Sequence, residues 1–546
     1  MFRSNAAVLS PNDLNSLKPS ICVSDSITLA EGTVQLSDAN VVTNELRIES
    51  GVTMSGTGSL SGNFVNAGIL SPGNSPGTIH VGGNFTQSAS GRLVSEITLA
   101  GTDLLDVSGT ASLGGTHQIN VEYGLYLDGA TQTLIQAAGG ISGDFSSVQM
   151  NTSALMTAQR ELGANALTVS FARQPMTSIV DPQSGRGRFA AWLEEQIDAG
   201  SIPPTMTDYI DSLLQQPSAQ GVQALLSERS EPVASVSQNS VSILGAGFAR
   251  TVFERFTLSD AAQCVPTQQG TDDALNCAWG HGLRQWGQSG GDSRYDWTSD
   301  GLQIGADRVL SSGWSLGGTF GYADTEVRDL HQAHNEVRSK MGGLYANYSP
   351  GRLSLGAMAF YSDNDNATRR SVQVGSTRQE ARADFDSDSY GAGIRLGYRV
   401  TSETGPLVQP FIEAFYDHIE GTRFSERNGG EGNLSARVHG RDGLRGTLGL
   451  QLAEDFEGYG KVFRPALDIG VAHQFEDDRS SLDLQPFSGT SSFRTYGPAL
   501  DRTAYIARAS LNVSLGANAS ISLGYGGEIA EDYSQHEGNL TFRMAW

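Results

Sequence analysis

The last eight residues, Asn539 to Trp546, alternate without exception: Leu540, Phe542, Met544 and Trp546 fall on one side, Asn539, Thr541, Arg543 and Ala545 on the other. A strand that is apolar on one face, polar or small on the other and aromatic at its end suits the wall of a closed transmembrane sheet. The pattern recurs upstream. From about Asn276, period-two runs bounded by Gly, Pro, Asn and Asp define twelve candidate strands, with faces such as Leu302/Ile304/Ala306, Trp314/Leu316/Gly318/Phe320/Tyr322 and Ile521/Leu523/Tyr525. In one run Tyr390, Ala392, Ile394, Leu396 and Tyr398 share a face. Nine residues at roughly 3.3 Å each, tilted about 40°, cross an apolar band of about 25 Å with an aromatic at each rim.

Connection lengths alternate as such a barrel requires, short on the periplasmic side and long outside. Short ones are Ser311 to Gly313, Ser349 to Gly351, Ser402 to Gly405 and Gly516 to Asn518, with Glu457 to Gly460 slightly longer. Between them lie Ser289 to Asp296, Glu326 to Asn335, Ala367 to Ala381, Ile419 to Gly440 and Glu476 to Asp501, all polar. An even strand count then puts the C-terminus in the periplasm.

Composition excludes the competing classes. Only 17% of the 546 residues are charged while Gly reaches 66, which favours turn-rich β architecture. With 59 acidic against 36 basic side chains, net −23, the chain repels nucleic acid. No window reaches the apolar length of a spanning helix, and barrel strands escape that test. Met1 to Gly32 lacks the basic, apolar and small-residue regions of a secretory signal, so a surface protein of this kind is expected to start upstream of Met1. Cys264 and Cys277 could close a loop before the first barrel strand, leaving Cys22 over.

From Ser26 to Phe171, short apolar pulses such as Val34/Leu36, Leu46/Ile48, Ile79/Val81 and Leu167/Val169 are separated by Gly, Asn and Ser, without a helix-period stretch. Irregular rungs of this kind are stable only when stacked, as in a right-handed parallel β-helix; a β-sandwich is the alternative. A helical block follows. Phe189, Trp192, Leu193 and Ile197 keep a helix period, and Pro232 to Leu258 carries a stripe of Leu244, Phe248, Val252 and Phe256 beside small residues and the charges Arg250, Glu254 and Arg255. Directly before a barrel, such a helix could thread the lumen. Its arginines would then need partners, since an unpaired confined charge is costly. Inward-facing Asp307, Glu413, Asp468 and Glu528 are the candidates. The expected fold is thus all-β with a short helical linker: an irregular segment 1–25, a β-helix over 26–172, linker and lumen helix over 173–262, and a 12-stranded antiparallel transmembrane β-barrel over 263–546.

The order of parts resembles the C-terminal portion of a monomeric autotransporter of type V secretion, over nearly the whole chain. Asn66-Ala-Gly-Ile-Leu-Ser-Pro-Gly-Asn-Ser-Pro-Gly-Thr-Ile-His-Val-Gly-Gly-Asn-Phe-Thr-Gln87 and Asp106-Val-Ser-Gly-Thr-Ala-Ser-Leu113 are similar to the end of that family's β-helical passenger. Asp300-Gly-Leu-Gln-Ile-Gly-Ala-Asp307, Gly313-Trp314, Gly321-Tyr322 and Gly538 to Trp546 are similar to its translocator barrel. Trp546 stands where the commoner terminal residue is Phe, and most of a typical passenger is absent. The resemblance implies a Gram-negative outer-membrane location, with lipid around the barrel and insertion by the barrel assembly machinery after escort by periplasmic chaperones. It also implies surface export of the chain's own N-terminal segment, an adhesin-like module for an unknown surface or host ligand. The C-terminal assembly signal would be Leu540, Phe542, Met544 and Trp546.

Catalytic, cofactor and metal sites are not expected. Gly291-Asp-Ser293 lacks the Leu of a lipase-like block and lies in a barrel loop. Asp363-Asn-Asp-Asn366 lacks the central Gly and closing Glu of a calcium loop. No His-Glu-x-x-His motif or paired Cys spacing occurs, nor the Asn-Asn pair of self-cleaving relatives. Two other readings stay open: translocation of an enzymatic, protease-like passenger encoded upstream, and a solute channel.

Overall fold

The computed structural model describes residues 7–9, 20–22, 25–73, 76–230, 234–257, 275–290, 294–310, 313–329, 333–349, 351–374, 377–402, 405–476, 479–497, 501–516 and 518–546. Two compact units emerge, Met1–Ile179 with Glu194–Leu225, and Val180–Leu193 with Leu226–Trp546. The helical linker expected at 173–262 is thus shared between them.

In the first unit, short parallel strands stack in two ladders. Along one, Ile27, Leu46, Phe64, Phe85, Ala111 and Ile141 are successive register partners, so each rung adds an apolar side chain to the same column. Phe64 and Phe85 meet edge to face with centroids 5.7 Å apart. Polar groups inside this core are tied to one another: Asn66 Nδ2 donates to Gln87 Oε1 at 2.9 Å, and Gln87 Nε2 donates to the Gly114 carbonyl at 2.8 Å. The antiparallel pair Met156–Leu162 and Ala166–Arg173 lies at the end of the second ladder.

Two buried ionisable groups of this unit respond to pH in opposite senses. His117 is fully buried, with Nε2 2.9 Å from Ser95 Oγ and its ring 4.6 Å from that of Phe145. Burial, reinforced by Arg160, pushes its pKa from 6.5 down to about 3. Below about 6.5 the unfolded chain takes up a proton that the folded chain refuses until about 3, so stability present at neutral pH is lost as pH falls through that window. Burial of Asp103 raises its pKa from 3.8 to about 6, which acts in the opposite direction and offsets most of the histidine's loss between about pH 6 and pH 4, leaving a small net loss in acid. Amide protection factors over Arg92–Thr98 and Thr116–Val121 should therefore fall slightly between pH 7 and pH 4.5, and His117→Gln should turn that fall into a rise by leaving the Asp103 contribution unopposed. Equal acid sensitivity in the two proteins would refute the assignment.

The second unit holds twelve long strands in antiparallel order: Leu275–Ser289, Tyr295–Val309, Trp314–Asp329, His334–Tyr348, Leu353–Val374, Thr377–Tyr398, Leu407–Ile419, Arg441–Ala453, Lys461–Gln474, Thr503–Ser514, Ala519–Ile529 and Tyr533–Ala545. The first pairs with the last from Cys277↔Ala545 to Ser289↔Tyr533, which closes the sheet and leaves no edge among these strands. Outward residues form the apolar belt: Leu302, Ile304, Phe320, Leu448 and Leu523 are each more than half exposed, as a lipid-facing wall requires. Trp314 and Tyr348 stack at 4.7 Å near the short-turn end.

Several expected external loops are instead ordered strand. The segment Ala367 to Ala381 does not loop: the fifth and sixth strands pair continuously out to Val374↔Thr377. Alternation persists there, with Val372, Ala381, Ala383 and Phe385 buried and Asp384 exposed, and the outward acidic residues mask it in sequence. The connections at Ser289 to Asp296 and Glu326 to Asn335 are likewise shortened by strands reaching Ser289, Tyr295, Asp329 and His334. The two longest connections contribute Thr422–Ser425, Ser435–Val438, Ser481–Gln485 and Phe493–Tyr496, which join into a separate four-stranded sheet. Helices α1 (Gly185–Asp198), α2 (Pro204–Leu214), α3 (Ala219–Ser230) and α4 (Ala234–Thr257) make up the helical block.

Candidate functional site: the helix in the barrel lumen

Helix α4 occupies the barrel interior as two unlike faces. Leu244, Phe248, Ala249, Val252 and Phe253 pack with Trp279, Ala323, Met341, Tyr345, Met358, Phe360 and Phe415 of the first seven strands. Glycines permit this approach: a side chain at Gly321 would meet the Phe248 ring at 2.8 Å, and one at Gly245 the Phe360 ring at 2.8 Å. Phe248 and Phe360 meet at 5.6 Å, and Phe360 stacks on Phe415 at 6.2 Å.

The opposite face is charged. Arg250 is paired with Glu537, lies 3.6 Å from Glu254 one turn on, and reaches Glu528 at 4.0 Å. Glu537 also accepts from Gln285 Nε2 at 2.7 Å. Glu528 is held by Arg445 at 2.6 Å and Arg508 at 3.0 Å. Three carboxylates and three guanidiniums thus neutralise one another in a nearly closed interior, which is what makes buried charge tolerable. Beside them a small cavity of about 40 Å³, open in part to solvent, is lined by Thr251, Glu254, His281, Asp468, Arg508 and Arg543 among others.

Of the partners expected for the helix arginines, only Glu528 contacts Arg250. Glu413 is taken by Arg395 at 2.8 Å, Asp307 accepts from the Tyr345 hydroxyl at 3.0 Å, and Asp468 lines the cavity. The competing wall arginine and tyrosine lie closer to those carboxylates than the helix does, a matter of register rather than of facing. The side chain of Arg255 lies outside the described residues. Glu537 was missed, yet it sits on the polar face already read at Asn539, Thr541 and Arg543, one inward position further along the same strand.

Cys277 is disulfide-bonded, while Cys264 lies outside the described residues, as does the side chain of Cys22. Leu540, Phe542, Met544 and Trp546 all point outward and are exposed. Asn276 and Trp546 exchange backbone hydrogen bonds of 3.1 and 3.0 Å at the seam. Gly291 to Ser293 lies outside the described residues. Asp363 and Asp365 sit within the fifth strand, 3.7 and 3.1 Å from Lys340 Nζ. Among the described residues, no three His, Cys, Asp or Glu side chains are grouped to hold a metal ion. The arrangement can seal a pore and hold a helix in one orientation.

Residues 278–526 match the family model of the autotransporter beta-domain. A stretch covering 49% of this chain is 26% identical to an extracellular serine protease of Serratia marcescens, of which it spans 26%. Another, 31% of this chain, is 23% identical to 17% of the autotransporter adhesin/invasin TibA of Escherichia coli. The chain therefore spans about a quarter of the length of the curated relatives it first matches. The translocator domain of autotransporter NalP from Neisseria meningitidis aligns over 55% of this chain and 96% of its own, with 15% identity and a TM-score of 0.41. The closed twelve-stranded barrel, with an autotransporter beta-domain match across most of it, is an autotransporter translocator domain, a barrel of the Gram-negative outer membrane.

Proposed function

We propose that the barrel exports the chain's own N-terminal unit to the cell surface, that this unit is the end of a β-helical passenger, and that α4 stays behind as the plug. The observation that carries the reading is continuity: the helix held in the lumen by Arg250 is the direct continuation of a chain whose upstream part stacks parallel rungs. Rungs that fold outside cannot slip back through a polar lumen, so their stacking biases transit outward, with Gly68 to Phe171 as the folding nucleus. Barrel assembly machinery and periplasmic chaperones are the partners during insertion. The passenger is an adhesin or surface-interaction module for a surface or host ligand, and no catalytic role falls to this chain. A second reading, an enzymatic passenger encoded upstream, draws on the sequence likeness to the Serratia extracellular serine protease.

Site-directed labelling tests the export. Leu99, 71% exposed at a rung turn, and Asn428, in an external connection, should accept a membrane-impermeant thiol reagent on intact cells when replaced by Cys. Tyr459, fully exposed at the periplasmic turn, and Asn518 should react only after the outer membrane is opened. Labelling at Asn518 but not at Leu99 with the membrane intact would reverse the orientation and end the proposal.

A further inference from the structure

The four-stranded sheet built by the two longest external connections has unlike faces. Phe424, Ala436, Val438, Leu482, Leu484 and Phe493 are buried on one of them. On the other, one cross-strand row runs Arg423, Arg437, Asp483, Arg494, each the register partner of the next. Asp483 is taken by Arg494 at 2.8 Å and by His439 at 2.7 Å. Arg423 and Arg437, both exposed and directly opposite one another, are left without a carboxylate at ion-pair distance among the described residues. Like charges so placed cost stability, in a chain that carries 59 acidic side chains. The basic strip continues sideways. Arg427, exposed like Arg423, bridges to Arg382, which lies opposite Arg369 on the fifth strand. Arg382 is paired with Glu380 and Arg427 with Asp384, so six guanidiniums in the strip stand against three carboxylates. Beside the arginine pair the hydroxyls of Ser425 and Ser435 meet at 2.9 Å.

Height above the membrane decides what this strip can meet. On the sixth strand the outward residues run Tyr390, Asp388, Asp386, Asp384, Arg382 away from lipid, and on the fifth Tyr361, Asp363, Asp365, Ala367, Arg369. Carboxylates thus fill the first rows past the aromatic rim, where lipid phosphates lie, and repel them. Eight residues at roughly 3.3 Å each, tilted about 40°, set Arg382 about 20 Å beyond Tyr390, whereas the polar layer of a bilayer adds only about 6 Å per side. The anion that fits the strip therefore comes from outside. We propose that the outer face of the external sheet binds a sulfated polysaccharide, with Arg423 and Arg437 bracketing one sulfate and Arg494 and Arg427 meeting its neighbours. Facing guanidiniums with Cβ atoms about 5 Å apart both reach one tetrahedral oxyanion, and the seryl hydroxyls offer hydrogen bonds to sugar. The row is narrow, three strand spacings or about 14 Å, and Asp384 and Asp386 border it. A slender chain fits there; a nucleic-acid duplex would bring phosphates onto those carboxylates.

The proposal takes the outward orientation that labelling at Asn428 tests, but binding in micelles does not depend on orientation, so the two fail separately. The purified full chain in detergent is titrated with fluorescent heparin at rising salt. The wild type should bind at about 50 mM salt and release as salt rises. Arg423→Ala with Arg437→Ala should weaken binding about tenfold or more and make the slope of log Kd against log salt shallower by roughly one to two. Arg423→Lys with Arg437→Lys, which keeps the charges, should keep the slope. Arg308→Ala, at the periplasmic end of the second strand, should change neither. No binding by the wild type, wild-type affinity in the alanine pair, or binding to duplex DNA or lipopolysaccharide as tight as to heparin would overturn the proposal.

Discussion

Arg250→Glu should unplug the barrel. The substitution removes the cation that Glu537, Glu254 and Glu528 share and places a fourth carboxylate among them. Breaking a buried pair by losing one partner costs about 3–5 kcal/mol, and reversal adds repulsion at short range. At about 1.4 kcal/mol per tenfold, the seated population of α4 should fall by roughly two to four orders of magnitude against the withdrawn state. Against this stand the apolar contacts of Phe248, Val252 and Phe253, which the substitution leaves intact, so the expected state is a helix loosened at its charged face rather than an unfolded barrel. Purified protein in planar bilayers should show large, frequent openings where the wild type is nearly silent. Reciprocal exchange, Arg250→Glu with Glu537→Arg, should restore much of the closure. Wild-type conductance in Arg250→Glu would mean that the apolar face alone holds the plug.

Deletion of Trp546 should abolish arrival at the outer membrane. In the finished barrel the residue supplies two backbone hydrogen bonds to Asn276 and one exposed indole at the lipid rim. Two such bonds are worth about 1–3 kcal/mol together, and a seam paired from Cys277↔Ala545 to Ser289↔Tyr533 survives that loss. A purely structural role therefore predicts a slightly less stable but correctly inserted barrel. A recognition role, in which the apolar C-terminal face is read before insertion, predicts protease-sensitive chain left in the periplasm. We expect the second outcome, with Trp546→Phe close to wild type because an aromatic at the interface is retained. Normal surface accessibility of Asn428 in the deletion variant would reject it.

Strand number and lipid face could be read along the chain because each follows from a local rule. A residue two positions on points the same way, so Leu302 and Ile304, or Leu540 and Phe542, declare their side whatever the rest of the protein does. The plug helix was legible for the same reason, from Leu244, Phe248 and Val252 at helix spacing beside Gly245 and Gly247.

Pairings between distant segments were not. That Arg250 meets Glu537 rather than Glu413 depends on how α4 is rotated in the lumen and on the register of twelve strands, and both are fixed only when the barrel closes. A carboxylate's inward direction is local; its nearest cation is not. The arms out to Val374 and Thr377 were hidden for a related reason, since outward Asp384 and its neighbours look like loop until buried Ala383 and Phe385 are seen to continue the wall. Phe487 and Phe493 carried no period at all. Their partners in α1 lie about 300 residues away, and only the folded connection brings those rings together. Period and composition thus determined what each segment is; which segments meet was left to tertiary packing, because contact between remote residues is a property of the closed chain and not of any window along it.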